Sequence, residues 1–276
     1  MATHPTLDSL TESQLQALYT AHYRATTARI RVAGGARPVR IPGTAAALAW
    51  ASDKQMHNGV PVGALAPSDD PAAAVRAVME QSPSPCHWTV WPAPQPRLEQ
   101  ALLRHGFVID DDEPAMAAAL DEDALTARRA QAVAAAGPGF AITPVEDAQA
   151  LDDWVATWGG DDTPAEVLDQ SHQVYKVLLA ELPRDEFGMF VGRVDGKPVG
   201  TGIVFCAEGL AAVHYIATLA AFRRRGIGRA LTLHAMVAAR RAGYRIAVLT
   251  ASEDGRGVYR ALGFGEFGKQ TTYLRG

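Results

Sequence analysis

Cysteine is almost missing from this chain: Cys86 and Cys206 are the only two in 276 residues. That excludes a disulfide framework and makes a reducing cytoplasm the expected compartment. Long apolar runs are missing as well. None approaches the ~20 residues that a membrane helix needs, and the opening residues MATHPTLDSL lack the basic stretch and apolar core of a secretion signal. The expectation is a soluble chain with no membrane partner. There is no basic excess either, since the formal net charge is −4, and that disfavours a dedicated nucleic-acid binder.

Several chemistries lack their signatures. The eight histidines form no HExxH pair, and Cys86-His87 is adjacent rather than spaced for zinc, so no metal is expected. No G-x-S-x-G elbow occurs. A dinucleotide-type GxGxxG fails after Gly228, where Ala230 and Leu231 follow. Gly192 to Lys197 is one residue short of a Walker loop, with Pro198 in place of the hydroxyl, and reads as a hairpin turn.

What is present is a globular composition, 48% hydrophobic and 20% charged, with enough apolar surface for real cores. The length suits two domains of ordinary size. An alanine-rich helical stretch ending at Gly137-Pro138-Gly139 reads as their connector, because glycine ends helices and proline cannot continue them. The expected division is a first domain over 1–125, a helical linker over 126–138 and a second domain over 139–276. In the first, Thr11 to Tyr23 reads as a helix opened by a capping box of Thr11 with Gln14. Trp88 to Trp91 reads as a strand and Leu98 to Arg104 as a helix stopped by Gly106.

The second half has a clear order. A strand over 140–144 precedes helices over 145–158 and 165–181, separated by the loop Gly159-Gly160-Asp161-Asp162. Strands follow over 187–194 and 199–207, joined at the hairpin signal Asp195-Gly196. A third strand spans 210–218. A helix over 227–242, a buried strand over 246–250, a short helix over 257–262 and a last strand over 267–274 complete it. The fold class is mixed α/β, with an antiparallel start and one βαβ crossover.

The chemistry concentrates between strand and helix, in Arg223-Arg224-Arg225-Gly226-Ile227-Gly228-Arg229. Glycines at a helix start let backbone N–H groups approach a ligand closely. Those N–H groups lie unpaired at the positive end of the helix dipole and suit phosphate. Four arginines add bidentate phosphate partners. Taken alone, the stretch is a pyrophosphate site, a solvated basic turn or a nucleic-acid patch.

The pattern Arg223-x-x-Gly226-x-Gly228, with the downstream Tyr259-x-x-x-Gly263-Phe264, resembles the signature of the GNAT superfamily of N-acetyltransferases across about half of the chain. The resemblance implies acetyl-CoA as co-substrate and an amine of a small molecule or peptide as acceptor, by direct transfer in a ternary complex. It implies that the backbone of Ile216, Ala217 and Thr218 bonds the pantetheine arm like an added strand. The loop from Arg223 to Arg229 would hold the pyrophosphate, and Ser252 would bond the cofactor arm or an ordered water. Tyr259 takes the place of the general acid, because a phenol with an unperturbed pKa of roughly 10 can hand a proton to the departing thiolate. The proline common two residues after the pantetheine strand is Ala220 here.

Many relatives place a glutamate base on the strand before the loop. This chain has His214 there, beside Tyr215, with no carboxylate between Leu210 and Arg225. His214 is chemically suited to be the base and equally suited to be a strand histidine in a packed setting. Trp154 and Trp158 share a helix face, either walling an acceptor groove or packing a core. Asp161-Asp162 beside them suits a cationic acceptor or plain solvation. The N-terminal half echoes the motif only in Leu102 to Phe107 and lacks a glycine-arginine loop. It therefore resembles a degenerate partner domain with no cofactor of its own. The rival reading of the whole is a non-catalytic acyl-CoA-binding sensor.

Overall fold

The computed structural model describes residues 4–41, 48–52, 58–61, 65–66, 68–82 and 85–276, and His57 lies outside them. In chain order its first elements are α1 (Glu12–Ala33), β1 (Arg37–Arg40), β2 (Leu48–Ala51), β3 (Gly59–Val60), α2 (Pro71–Gln81), β4 (Cys86–Val90), α3 (Pro96–Arg104) and β5 (Val108–Ala119). Then come α4 (Glu122–Ala135), β6 (Phe140–Pro144), α5 (Ala148–Gly159), α6 (Ala165–Glu181), β7 (Phe187–Val194), β8 (Lys197–Ala207) and β9 (Leu210–Thr218). The last are α7 (Ile227–Arg241), β10 (Ile246–Thr250), α8 (Glu253–Leu262) and β11 (Gly265–Arg275). Among the described residues no helix is long and apolar enough to cross a membrane.

The chain divides into two compact units, and not at 126–138. The first takes residues up to His22 together with Met116–Gly265; the second takes Tyr23–Ala115 and Glu266–Gly276. The stretch expected as a linker is mostly α4. Asp121 caps it, accepting from the Ala124 N–H at 3.4 Å, and Leu125, Ala132 and Ala136 are buried in the first unit's core. Alanine-rich sequence is as good a close-packing surface as it is a spacer, so composition alone misread it.

In the first unit the strands run β5-β10-β9-β8-β7-β6. Pairs from β6 to β9 are antiparallel, and β9 with β10 is parallel, the crossover being α7. Strand side chains alternate between faces. Phe190, Val204 and Cys206 join Leu231, Met236 and other residues of α7 in one core. Ile203 and Phe205 are buried on the opposite face. There α5 lies on β8, with Trp154 Nε1 donating to the Gly202 carbonyl at 3.3 Å.

The second unit has its own sheet, β1-β2-β3-β4-β11, followed by the first part of β5. β3 and β4 are parallel, β4 and β11 antiparallel. Trp88, Leu98, Leu102, Phe107 and Tyr273 are central to its core. The capping box that opens α1 is formed: Thr11 N–H donates to Gln14 Oε1 at 2.8 Å, and Gln14 N–H to Thr11 Oγ1 at 3.3 Å.

The sequence echo is a structural one. Gly106 and Gly263 take left-handed φ values of 82° and 98°. Phe107 N–H reaches the Leu102 carbonyl, and Phe264 N–H the Tyr259 carbonyl, each at 3.1 Å. Both helices, α3 and α8, therefore end in the same glycine cap.

Candidate functional site

The site starts with a fault in β9. Ile203 pairs with His214 and Thr201 with Ala217, so Tyr215 and Ile216 face the single residue Gly202. This is a β-bulge, and Tyr215 takes a φ of 53° to make it. Thr201 Oγ1 donates to the Tyr215 carbonyl at 2.9 Å and secures the distortion. Gly202 is required: a Cβ there would press on Phe190 and on Ile216. On its other side β9 meets β10 only through Ala211 with Ala247 and Ala212 with Val248. Beyond those pairs, the edge of Ile216, Ala217 and Thr218 that faces away from β8 is left to an extended ligand, as an unpaired strand edge is.

Next comes the loop. Ala220–Phe222 forms a 3-10 turn, so alanine in place of proline does not unravel it. Arg223 Nε donates to the Thr218 carbonyl at 3.2 Å, tying the turn to the strand end. Arg224 and Gly226 both take positive φ, 65° and 81°, and successive N–H groups in such a backbone form an anion-binding nest. The first intrahelical bond of α7 runs from Ala230 N–H to the Gly226 carbonyl. The N–H groups of Ile227, Gly228 and Arg229 precede it and point out of the helix end. No side chain caps them. A Cβ on Gly228 would have only Ile216 and Thr218 near it, at 3.8 Å, so this side of the glycine is open.

The opposite wall is α8. Ser252 is its N-cap, accepting from the Gly255 N–H at 3.3 Å. Tyr259 lies across Gly255 and meets Phe264 edge-on at 5.9 Å.

These parts enclose a cavity of about 970 Å³. Ile216, Ala217, Thr218, Arg223, Arg224, Gly226, Ile227, Gly228, Arg229, Ser252 and Tyr259 all line it. Two expected residues do not. The Arg225 guanidinium lies 5.0 Å from the Phe222 ring centroid and donates to the Ala221 carbonyl, which takes it away from the nest. His214 points elsewhere on β9; burial pushes its pKa down to about 4, and nearby His22 lowers it further. Such an imidazole is a weak base, and it does not border the cavity. Of the tryptophan pair, Trp154 is fully buried while Trp158 lines the cavity with Asp161 and Asp162. Sequence reasoning did not single out Phe222, Asp254 or Gly255, which also line it. The signal for Gly255 was a glycine four residues before Tyr259 on a helix.

The sequence profile of the acetyltransferase (GNAT) family matches residues 149–264, which hold this whole site. That segment is similar to GNAT acetyltransferase domains. An uncharacterised N-acetyltransferase of Methanocaldococcus jannaschii is 38% identical over 95 residues, 31% of this chain and 42% of the archaeal protein. The chain thus spans less than half of that relative. A GCN5-related N-acetyltransferase from Kribbella flavida superposes with a TM-score of 0.64 at 20% identity, over 92% of this chain and 95% of its own. One from Sphaerobacter thermophilus gives 0.56 at 15% identity, over 100% and 95%. At that identity the likeness is one of fold, and it extends over the N-terminal half as well as residues 149–264.

Proposed function

We propose that this protein is an N-acetyltransferase that moves the acetyl group of acetyl-CoA directly onto an amine of a small molecule or peptide in a ternary complex, acting in the cytoplasm. The observation that carries this reading is the continuity of one cavity. It runs from the nest at Arg224 to Arg229, along the open edge of Ile216 to Thr218, to the Tyr259 ring.

Residue types along the cavity suit coenzyme A at each point. The nest and Arg223, Arg224 and Arg229 match a pyrophosphate. The strand edge matches amide groups of a pantetheine arm. Bound there, acetyl-CoA supplies an activated thioester carbonyl. The chain's own work is to align it and to move one proton. Tyr259 holds that proton on its phenol oxygen and releases it as negative charge builds on the leaving sulfur. His214 is assigned no proton transfer, since it does not border the cavity. The ammonium of the acceptor loses its proton to water in the open cleft before attack.

The second unit is proposed as a degenerate GNAT-like half. The chain from α1 to β5 runs helix, three strands, helix, strand, helix, strand, the order repeated from α6 to β11, and β3 with β4 is parallel as β9 with β10 is. Leu102, buried in its core, stands where the echo would place the catalytic phenol. Among the described residues no nest precedes α2, which is capped by Asp70 accepting from the Ala72 N–H at 3.0 Å.

The test is thiol release from acetyl-CoA in the presence of an amine panel, with Tyr259→Phe as the control. Loss of the phenol should lower kcat by roughly 10²–10⁴-fold, the usual scale for a positioned proton donor. KM for acetyl-CoA should hardly move, because the phenol acts mainly as charge develops. Coenzyme A binding without any thiol release would instead favour an acyl-CoA sensor.

A further inference from the structure

The cavity is electrically uneven along its length. Its nest carries Arg223, Arg224 and Arg229, the α5–α6 loop carries Asp161 and Asp162, and α8 adds Asp254. Two carboxylates on α5 are already matched: Asp153 by Arg193 at 2.7 Å, and Asp152 by His172 at 2.9 Å. Among the described residues, none of the ion pairs involves Asp161 or Asp162.

Beside these carboxylates stands one aromatic ring, with a second packed against it. Trp158 lines the cavity, and Tyr215, at the bulge of β9, is 40% exposed. Their centroids are 5.5 Å apart and their planes nearly perpendicular, at 88°. Both are braced from behind. Trp154 stacks on Trp158 at 5.9 Å, and fully packed Tyr175, its pKa pushed well up by burial and by nearby Tyr215, sits 6.2 Å from Tyr215. Tyr215 is exposed beside Trp158 at a bulge that costs it a left-handed backbone. A fixed aromatic surface with carboxylates alongside holds an organic cation. The ring faces attract the ammonium, the aliphatic stem lies on carbon, and the carboxylates supply countercharge.

We infer that the acceptor is a small aliphatic amine carrying a second positive charge, whose non-reacting ammonium rests on Trp158 and Tyr215 against Asp161 and Asp162. The inference rests on the reading of the nest end as the acetyl-CoA site. Carboxylates alongside keep the nitrogen held here protonated, so the nitrogen that loses its proton and attacks the thioester is a second one. The ligand is therefore at least a diamine. Opposite polarity at the two ends of the cleft also keeps the substrates in order, with phosphates at the arginines and the ammonium at the aspartates.

The experiment uses the full chain and three amines of equal length: cadaverine, pentylamine and 5-aminopentanoate. Coenzyme A binding is measured first by calorimetry, then thiol release with each amine at saturating acetyl-CoA. Cadaverine should exceed pentylamine in kcat/KM by about 10–100-fold, the worth of one well-placed charge contact, and 5-aminopentanoate should be poorest. In the Asp161→Asn, Asp162→Asn double variant the cadaverine-to-pentylamine ratio should fall to near one, with coenzyme A binding reporting an intact fold. If coenzyme A binds and the three amines react alike, or none reacts, this inference is wrong while the cofactor reading stands. If coenzyme A does not bind at all, both fall.

Discussion

Replacing Gly255 with alanine would separate stability from catalysis. Gly255 lies in the first turn of α8, and a Cβ built there comes 2.9 Å from Tyr259 Cε2 and 3.3 Å from Ser252 Oγ. Carbon atoms in contact sit at roughly 3.5–4.0 Å, so the phenol ring must retreat by about 0.6–1 Å. That movement is cheap, since a tyrosine ring swings on two side-chain torsions. Helix propensity works the other way, alanine being better than glycine by about 1 kcal/mol in a helix interior. Thermal stability should therefore be unchanged or slightly raised. Activity should not survive so well, because a misplacement of about 1 Å in a reacting group can cost on the order of 100-fold. The expected result is kcat lowered about 10–100-fold, KM for acetyl-CoA little changed, and Tm equal or higher. Both readouts come from one preparation, by thiol release and by thermal melting. Full activity in Gly255→Ala would mean that the ring position is not critical, and Tyr259 would become a packing residue.

Gly228→Asp places a side chain and a negative charge in the open space beside the nest, and calorimetry should register severe loss of coenzyme A affinity with the fold retained. Unaltered affinity would remove the nest from the site. Titration should give one coenzyme A per chain, since the second unit has no glycine-arginine loop; a stoichiometry of two would refute its degeneracy. His22 is buried, its Nδ1 3.0 Å from the Ala207 carbonyl, and burial holds its pKa at about 4 against an ordinary 6.5. The unfolded chain binds the proton more readily, so stability is full above about pH 6.5 and is lost as pH falls toward 4, by roughly 3 kcal/mol for this residue. His22→Gln should make that part of the denaturation profile less steep between pH 7 and 4.5, with His214 and His234, also held at about 4 by burial, supplying the rest; an unchanged acid dependence would show that His22 does not contribute.

The legible parts of the site were those made by backbone. Glycine spacing before a helix told of the nest, and Gly263-Phe264 of the α8 cap, because few other residues adopt those backbone angles. The bulge was illegible: no residue type at 214–216 requires it, and it arises from Gly202 opposite, where Phe190 and Ile216 leave no room for a side chain. α8 was expected to begin at Gly257, yet Ser252 caps it and Glu253 and Asp254 sit in its first turn, favourably for the dipole. β5 ran against propensity. Asp110 to Pro114 are poor strand formers, but Asp112 accepts from Thr271 Oγ1 and pairs with Lys269 Nζ, each at 2.8 Å. Those partners lie almost 160 residues away, where no local pattern can find them.

The domain boundary failed for a related reason, and the failure can be tested. Each unit completes its sheet with a strand from the other half of the chain: Met116–Ala119 belongs to the first unit, and Glu266–Arg275 to the second. A cut at residue 138 would take from the first core Met116, Leu120 and Leu125, which are 0%, 4% and 2% exposed, and α4 with them. Burying a large aliphatic side chain is worth about 1.5–3 kcal/mol, so these three represent roughly 5–9 kcal/mol, most of the stability of an ordinary domain. The edge of β10 at Arg245, whose carbonyl accepts from the Leu120 N–H at 2.9 Å, would also be bared. Residues 139–276 expressed alone should therefore be insoluble or lack a cooperative melt, although they contain the complete nest, the strand edge and Tyr259. A shortened chain of residues 4–22 and 116–265, joined by a flexible linker, should melt cooperatively and bind coenzyme A. If the 139–276 fragment folds and binds as the full chain does, α4 and the end of β5 are dispensable, and the first unit is smaller than its contacts indicate.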